Sequence, residues 1–369
     1  MTLKNTFFYK NVLIQGSFQS VGHTDEYFIQ RTQHLIIMYS MPRLQKHTND
    51  IYIYEKGKLI KVIHKPSSTR PFLHYLYWIL AYWYVLITIC KKEEKWIVLA
   101  GHPILFFFMS LQKRIRHISF AYWVGDYFPG NDWKIRLYEK LKKHYHDAIP
   151  VTYYLSDRIN SRMNRGVVQN SFNKKTVAWG MKPLRVGNKD PHTHWLAFVG
   201  VIKPSQNIES ILEYLYRNPS WRLKLIGICE KDYYRKLKKI ILRYSLAKRV
   251  WFPNRFVPEN RLQVEFEDCL IGLVLYRGCK TQFTWYTDPG KIKTYLEFGL
   301  PVVMTDTSSI VKDIVLFHCG EIVKERSLEY YIRKVMTNYS YYQKGVQNII
   351  RHYEYVKYYD NRFVALRRV

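Results

Sequence analysis

The stretch Asp288–Lys291 (DPGK) combines residue types that together can hold a phosphate group. Asp, Pro and Gly favour turns, and Pro is well tolerated in the first turn of a helix, so we expect a helix to begin here. The free N–H groups and the positive dipole end of such a helix attract anions, and Lys291 adds a full charge in its first turn. The segment therefore predicts a phosphate or diphosphate site, with an ordinary helix–strand connection as the alternative.

The residues that follow predict the elements that position this site. Apolar side chains recur at helical spacing from Ile292 to Phe298, and Gly299 supplies the helix end. Residues 301–305 (PVVMT) are typical of a short buried parallel strand. The unit is thus predicted to be a loop, a helix, a glycine and a strand of an α/β domain.

Length and charge limit the classes of protein to which the chain can belong. With 369 residues the chain exceeds the usual size of one hydrophobic core, so two domains are expected. The 58 Lys and Arg residues against 29 Asp and Glu, together with 10 Trp and 32 Tyr, indicate a polyanionic partner. Either nucleic acid or an anionic membrane face would fit. No helix-turn-helix, RNA-binding aromatic signature or zinc pattern favours nucleic acid, so we predict the membrane surface as partner.

The five cysteines form no C-x-x-C pair and no metal-like grouping. This spacing favours free thiols in a reducing cytoplasm. The N-terminal residues contain a short apolar run without a small-residue cleavage site, so we expect no signal peptide. Together these features predict a cytoplasmic location.

Predicted strands and helices alternate along the whole chain. Residues 1–185 are predicted to form one parallel α/β domain, and residues 186–369 a second one, with the Pro- and Gly-containing segment 182–193 as linker. In such folds ligands bind at the carboxyl ends of the strands. Gly16 ends the first predicted strand and is followed by a loop that contains His23, so this loop is a candidate binding segment. Two such domains facing each other would form a cleft.

The most hydrophobic segment, Phe72–Cys90, is predicted to be a helix that is buried or dips into the membrane surface. Its length is that of a marginal membrane span, which is the alternative. His74, the many Tyr and Trp rings, and the strand pattern that resumes directly after it favour the surface helix over the span.

The order of these pieces resembles the GT-B glycosyltransferases, and in particular glycosyltransferase family 4 (group 1). Three segments carry the resemblance. Residues 289–303 look like the family's P-x-K, E-Y-L and G-x-P-V-V donor-site segment, residues 195–207 (WLAFVGVIKPSQN) like its first C-terminal strand and loop, and residues 177–182 like the last strand before the linker. The chain departs from the family at Tyr286 and Thr294, where the family has two glutamates, and at Val201, where it has Arg.

The resemblance implies two Rossmann-like parallel-sheet domains facing across a cleft, with the C-terminal helices packed back on the N-terminal domain. The N-terminal domain would bind the acceptor and the C-terminal domain the nucleotide sugar. Lys203, Lys291 and the backbone around Pro289 and Gly290 would then hold the donor diphosphate, without a metal ion or other cofactor. Glu297, one helical turn from Thr294, would take over the ribose contact.

An acceptor hydroxyl also needs a polar group or base within hydrogen-bond reach. His102 and Asp126 both follow predicted strands of the N-terminal domain and are the candidates; a turn histidine and a helix-capping aspartate are the alternatives. The implied enzyme is a retaining, hexosyltransferase-like protein. It would act on a lipid-linked or polysaccharide acceptor at the cytoplasmic membrane face, in cell-surface polysaccharide synthesis. A non-enzymatic polyanion or membrane binder on the same scaffold, and a nucleotide-sugar epimerase, are the other classes considered.

Overall fold

The computed structural model describes residues 7–16, 23–40, 48–90, 93–103, 107–108, 117–125, 127, 129–130, 132–164, 173–185, 189–277, 283–324 and 327–368. Two compact units make up the chain. The first unit comprises residues 1–178 and 356–369, and the second unit comprises residues 179–355.

The first unit is built on one eight-stranded sheet. Its elements are β1 (Tyr9–Gly16), α1 (Thr24–Arg31), β2 (Thr32–Ser40), β3 (Thr48–Glu55), β4 (Lys58–Pro66), α2 (Pro71–Thr88), β5 (Trp96–Ala100), β6 (Ile118–Val124), α3 (Trp133–Ala148), β7 (Thr152–Tyr154), α4 (Asp157–Met163) and β8 (Lys174–Thr176). The strand order is β4-β3-β2-β1-β5-β6-β7-β8. All neighbours are parallel except β3, which runs antiparallel to both β2 and β4.

The second unit carries a six-stranded sheet that is parallel throughout. Its elements are β9 (Trp195–Val199), α5 (Ile208–Arg217), β10 (Arg222–Ile226), α6 (Lys231–Arg243), β11 (Val250–Trp251), α7 (Glu259–Phe266), β12 (Cys269–Val274), α8 (Gly290–Glu297), β13 (Val302–Thr305), α9 (Val311–Leu316), β14 (Gly320–Val323), α10 (Leu328–Thr337) and α11 (Tyr339–His352). The order β11-β10-β9-β12-β13-β14 is the 3-2-1-4-5-6 order of the Rossmann fold. The predicted parallel α/β architecture is therefore confirmed in both units.

The last helix is α12 (Tyr355–Arg362), and from residue 356 onwards it belongs, with the turn that follows it, to the first unit. Phe363 is fully buried there and packs on the rings of Tyr27 and Tyr153, and its carbonyl accepts a hydrogen bond from Tyr9 Oη at 3.0 Å. The Tyr27 hydroxyl also donates to Asp360 Oδ1 at 2.9 Å. The predicted return of the C-terminal helices is thus confirmed for α12, whereas α10 and α11 are part of the second unit.

The segment before β9 packs on the second unit from residue 179 onwards. Met181 N donates to Tyr353 O at 2.8 Å, and Lys182 N donates to the Glu297 carboxylate at 2.8 Å. The boundary at residue 185 that the linker composition predicts therefore falls within the second unit. The binding roles assigned to the two units stay predictions.

The hydrophobic segment forms the helix α2, as its composition predicts. Trp78, Tyr82, Val85 and Leu86 are buried on its inner side. Among the described residues, no helix combines the length and the apolar character that crossing a membrane requires.

Candidate functional site

Helix α8 begins at the predicted place. Pro289 has the extended backbone of an N-cap residue, and Gly290 is the first helical residue. A side chain at Gly290 would meet nothing within 4 Å, so the space in front of the helix start is open. Asp288 holds the preceding loop in place, because its Oδ1 accepts hydrogen bonds from Ser308 Oγ at 2.7 Å and Ser309 N at 2.8 Å. The loop that leads into the first turn of α8 is thus held in place.

The ammonium group of Lys291 lies in an aromatic pocket beside this helix start. Its Nζ is 3.8 Å from the centroid of the Phe198 ring and 5.3 Å from that of Tyr276. The lysine as a whole is partly exposed, but Nζ itself is buried and has no hydrogen-bond partner in the described part of the chain. Burial lowers the pKa of Lys291 from 10.5 to about 7. A buried cation that lacks an anionic partner is costly, which makes this position receptive to an anion.

Two glycines allow the loops to come this close. Gly200, which follows β9, has φ = 113°, and a side chain there would stand 3.4 Å from Cε and 3.5 Å from Nζ of Lys291. Gly227, which follows β10, has φ = 145°, and a side chain there would stand 1.9 Å from Gly200 O. Both values of φ lie in the range that favours glycine. Gly227 thus allows the loops after β9 and β10 to approach each other closely, and Gly200 allows the φ of the loop beside Lys291.

This cluster lies at the topological switch point of the second sheet. The neighbours β9 and β12 continue in opposite directions along the sheet, to β10 and to β13 respectively. Phe198 lies near the carboxyl end of β9, and Tyr276 follows the carboxyl end of β12. The crevice outside such a pair of strand ends is where doubly wound sheets bind their ligands. Lys291 therefore occupies the position at which a nucleotide phosphate is expected.

Further cations surround the loop after β9. Lys203 precedes a 3-10 turn of residues 204–206, and its backbone N–H donates to Gln206 Oε1 at 3.1 Å. Arg277, just beyond Tyr276, donates from its backbone to Ser205 O at 2.7 Å and from its guanidinium to Asn207 Oδ1 at 2.9 Å. Arg277 is exposed. Sequence reasoning did not select it, although it follows a predicted strand at the carboxyl end, which is the signal that selected Gly16 and His102.

The two remaining candidates on α8 have other contacts. Thr294 Oγ1 donates to Gly290 O at 3.2 Å and so caps a carbonyl of its own helix. Glu297 is buried, accepts from Lys182 N, and lies 3.3 Å from the guanidinium of Arg185. These contacts hold the linker against the end of α8. The partners of Glu297 in the structure are therefore linker residues, and its contact with a ribose stays a prediction.

In the first unit, His102 follows β5 and lies among aromatic rings. The ring centroids of Tyr75, Trp78 and Tyr138 are 5.1, 5.6 and 5.6 Å from that of His102. Its Nε2 is 3.4 Å from the Tyr75 hydroxyl, and its buried Nδ1 has no hydrogen-bond partner within the described ranges. Burial lowers the pKa of His102 to about 4, with smaller effects from His74 and Lys142. The imidazole is therefore neutral near pH 7.

The other candidates of the first unit differ in what the structure shows. Gly16 is the last residue of β1 and pairs with Tyr39 of β2, while residues 17–22 after it lie outside the described residues. His23 is buried at the start of α1 with φ = 63°. Asp126 also lies outside the described residues.

Comparisons with known proteins bear on the fold. No family model matches the sequence, and no curated protein matches it. Solved structures do match over nearly the whole chain. The sucrose-phosphate synthase of Thermosynechococcus elongatus is 10% identical with a TM-score of 0.68, covering 97% of this chain and 98% of that one. HepE of Anabaena, solved with UDP, is 12% identical with a TM-score of 0.67, covering 97% and 100%.

A third similar structure is WaaG, described as a glycosyltransferase involved in lipopolysaccharide biosynthesis. It is 13% identical with a TM-score of 0.62, covering 96% of this chain and 98% of that one. At identities this low, the structural similarity bears on the fold alone. It agrees with the resemblance found in the sequence motifs. The chain therefore has the GT-B fold of these glycosyltransferases.

Proposed function

We propose that this protein is a glycosyltransferase that takes a sugar from a nucleotide-sugar donor bound on its second unit. The supporting observation is the buried amine nitrogen of Lys291, which has no hydrogen-bond partner among the described residues and lies at the switch point, beside the start of α8. UDP is the first nucleotide to test, because HepE, which this chain resembles in fold, was solved in complex with UDP.

Departure of the nucleotide from the sugar leaves negative charge on the diphosphate. That charge must be neutralised for the transfer to proceed. We assign this role to the N–H groups of α8 at Gly290, to Lys291, and to Lys203, and we add Arg277 because it borders the same loop. Fixed cations and a helix start suffice chemically for a metal-independent enzyme. We also propose that the sugar keeps its anomeric configuration, as the family resemblance implies.

On the first unit we propose that His102 contacts the acceptor hydroxyl. Its position after the carboxyl end of β5 and its neutral imidazole support this role, since a neutral ring nitrogen accepts a hydrogen bond or a proton. Asp126 follows β6 in the sequence and stays the second candidate. We further propose a lipid-linked or polysaccharide acceptor, and a peripheral position at the cytoplasmic face of the cell membrane. The net charge of +29 and the aromatic content support that location.

A thermal-shift screen of UDP, ADP, GDP and their sugar conjugates tests the donor proposal. A bound nucleotide must raise the melting temperature by mass action. Lys203→Ala and Lys291→Ala should each weaken binding by roughly 1.5 to 3 kcal/mol, the range for hydrogen bonds to charged groups. Lys312→Ala, an exposed lysine of α9, is the matched control and should leave binding unchanged. If both site variants are folded and bind the nucleotide as tightly as the wild type, the assignment of Lys203 and Lys291 to the diphosphate is wrong.

A further inference from the structure

The outward face of α2 is apolar along its length. Phe72 is 79% exposed and Ile87 62% exposed, and Leu76 and Leu80 are exposed as well. These positions fall within a narrow arc when 100° per residue is applied to the helix. The helix contains no Asp, Glu, Lys or Arg.

The inner face of the same helix is also apolar, because Trp78, Val85 and Leu86 are buried against the first unit. A surface helix of a water-facing protein normally carries polar residues on its outer side, and a helix that is apolar all round is normally covered. Exposed apolar side chains that stand together mark an interaction surface. The outer face of α2 is therefore a candidate interaction surface for an apolar partner.

The neighbouring hairpin supplies positive charge. α2 contacts β3 and β4, and Lys65 Nζ of β4 is 3.5 Å from the centroid of the Tyr84 ring. On β4, Leu59 and Ile60 are about half exposed or more (50% and 59%). The segment from residue 56 to residue 88 contains no acidic residue, and its basic residues are Lys56, Lys58, Lys61, Lys65 and Arg70.

We propose that the outer face of α2 and the exposed hairpin side chains of β4 dock on a lipid leaflet that contains anionic lipids. Apolar side chains enter the boundary between headgroups and acyl chains, while the lysines meet the headgroup charges. A second copy of this chain fits less well, because a twofold interface would bring the same cationic hairpin against itself. The proposal rests on the peripheral membrane position proposed above and names the surface that docks, but it does not depend on the donor assignment.

Vesicle flotation of the full chain tests this surface. We expect binding to phosphatidylcholine vesicles that contain phosphatidylglycerol, and little binding to phosphatidylcholine alone. The pair Phe72→Asp with Ile87→Asp, and separately the pair Lys58→Glu with Lys61→Glu, should each lower binding at least roughly tenfold. The matched control is Leu242→Asp, a 70% exposed apolar residue of α6 in the second unit, which should bind as the wild type does.

Melting curves show whether the variants are folded. If the Asp pair lowers the melting temperature, Leu76→Ser with Leu80→Ser takes its place as a milder change on the same face. Equal binding to neutral and anionic vesicles, or unchanged binding of both folded pairs, would overturn the proposal. Light scattering adds a second check, since a wild-type dimer that the Asp pair dissociates would show that a second copy covers this face. UDP-induced stabilisation is measured in parallel, so failure of the membrane proposal and failure of the donor proposal are distinguishable.

Discussion

Replacing Lys291 with Met should make the nucleotide-free protein more stable while it weakens nucleotide binding by roughly 1.5 to 3 kcal/mol. Met has a similar length and no charge, and its sulfur packs well against aromatic rings such as that of Phe198. The lysine, in contrast, keeps a buried amine without a hydrogen-bond partner among the described residues. The substitution therefore removes a group that burial penalises and keeps the packing.

The size of the effect follows from the pKa of Lys291, which burial lowers from 10.5 to about 7. The unfolded chain binds the proton more tightly than the folded one between these values, so wild-type stability rises with pH across this window. At about 1.4 kcal/mol per unit of pH, the lysine costs up to ~5 kcal/mol below pH 7 and roughly 4 kcal/mol at pH 7.5, and the cost vanishes near pH 10.5. These figures are upper bounds, because a buried charge draws in water and relaxes its surroundings.

Thermal melting of both proteins between pH 6.5 and pH 10, with and without UDP, measures this difference. We expect the Met variant to melt higher at pH 7.5, by about 2 to 4 °C for each kcal/mol in a unit of this size. The gap should close as the pH rises. UDP should stabilise the variant much less than the wild type at the same concentration, while Lys312→Met behaves as the wild type in both respects. A Met variant that melts lower than the wild type at pH 7.5, or that UDP still stabilises fully, would refute the reasoning.

Three further changes test other parts of the structure. Gly200→Ala should weaken UDP binding and lower stability by about 1 to 3 kcal/mol, because φ is 113° and a residue with a side chain would strain the loop beside Lys291; Gly125→Ala, with open space around it, is the control for calorimetry. Phe363→Ala should destabilise the first unit by about 3 to 5 kcal/mol in denaturant melts, against little change for the exposed Leu242→Ala. His102→Ala should lower sugar transfer at least roughly 100-fold in a product assay while UDP binds as before.

Most helices and strands of the second unit could be predicted from residues that are neighbours in the sequence. The start of α8 follows from Asp288 to Lys291, and the buried strand β13 follows from its apolar run, because both depend on neighbours in the sequence. A boundary was less predictable in the first unit. The largely apolar run of residues 148–154 (AIPVTYY) predicts one strand, but α3 continues to Ala148 and β7 contains only Thr152–Tyr154. Proline at position 150 fits this late start, since it lacks the N–H that a sheet ladder uses.

The contacts of individual side chains were harder to predict, because their partners lie far away in the sequence. Glu297 was selected because it lies one helical turn beyond Thr294, yet its partners Lys182 and Arg185 come from a linker more than a hundred residues earlier. Sequence spacing along one helix cannot show which distant segment returns to it. The same limit applies to Arg277, whose partners Ser205 and Asn207 belong to the loop after β9.

The environment of Lys291 depends both on neighbouring residues and on distant segments of the chain. Its place in the first turn of α8 is a local property, but its burial depends on the parallel pairing of β9 with β12, which brings Phe198 and Tyr276 around its side chain. A solvated lysine at this helix start would lose its water only when the proposed diphosphate ligand binds. Here folding has already removed that water, so the desolvation cost lowers the stability of the free protein rather than the affinity for the ligand. Such a lysine is expected where binding an anion matters more than the stability of the empty fold.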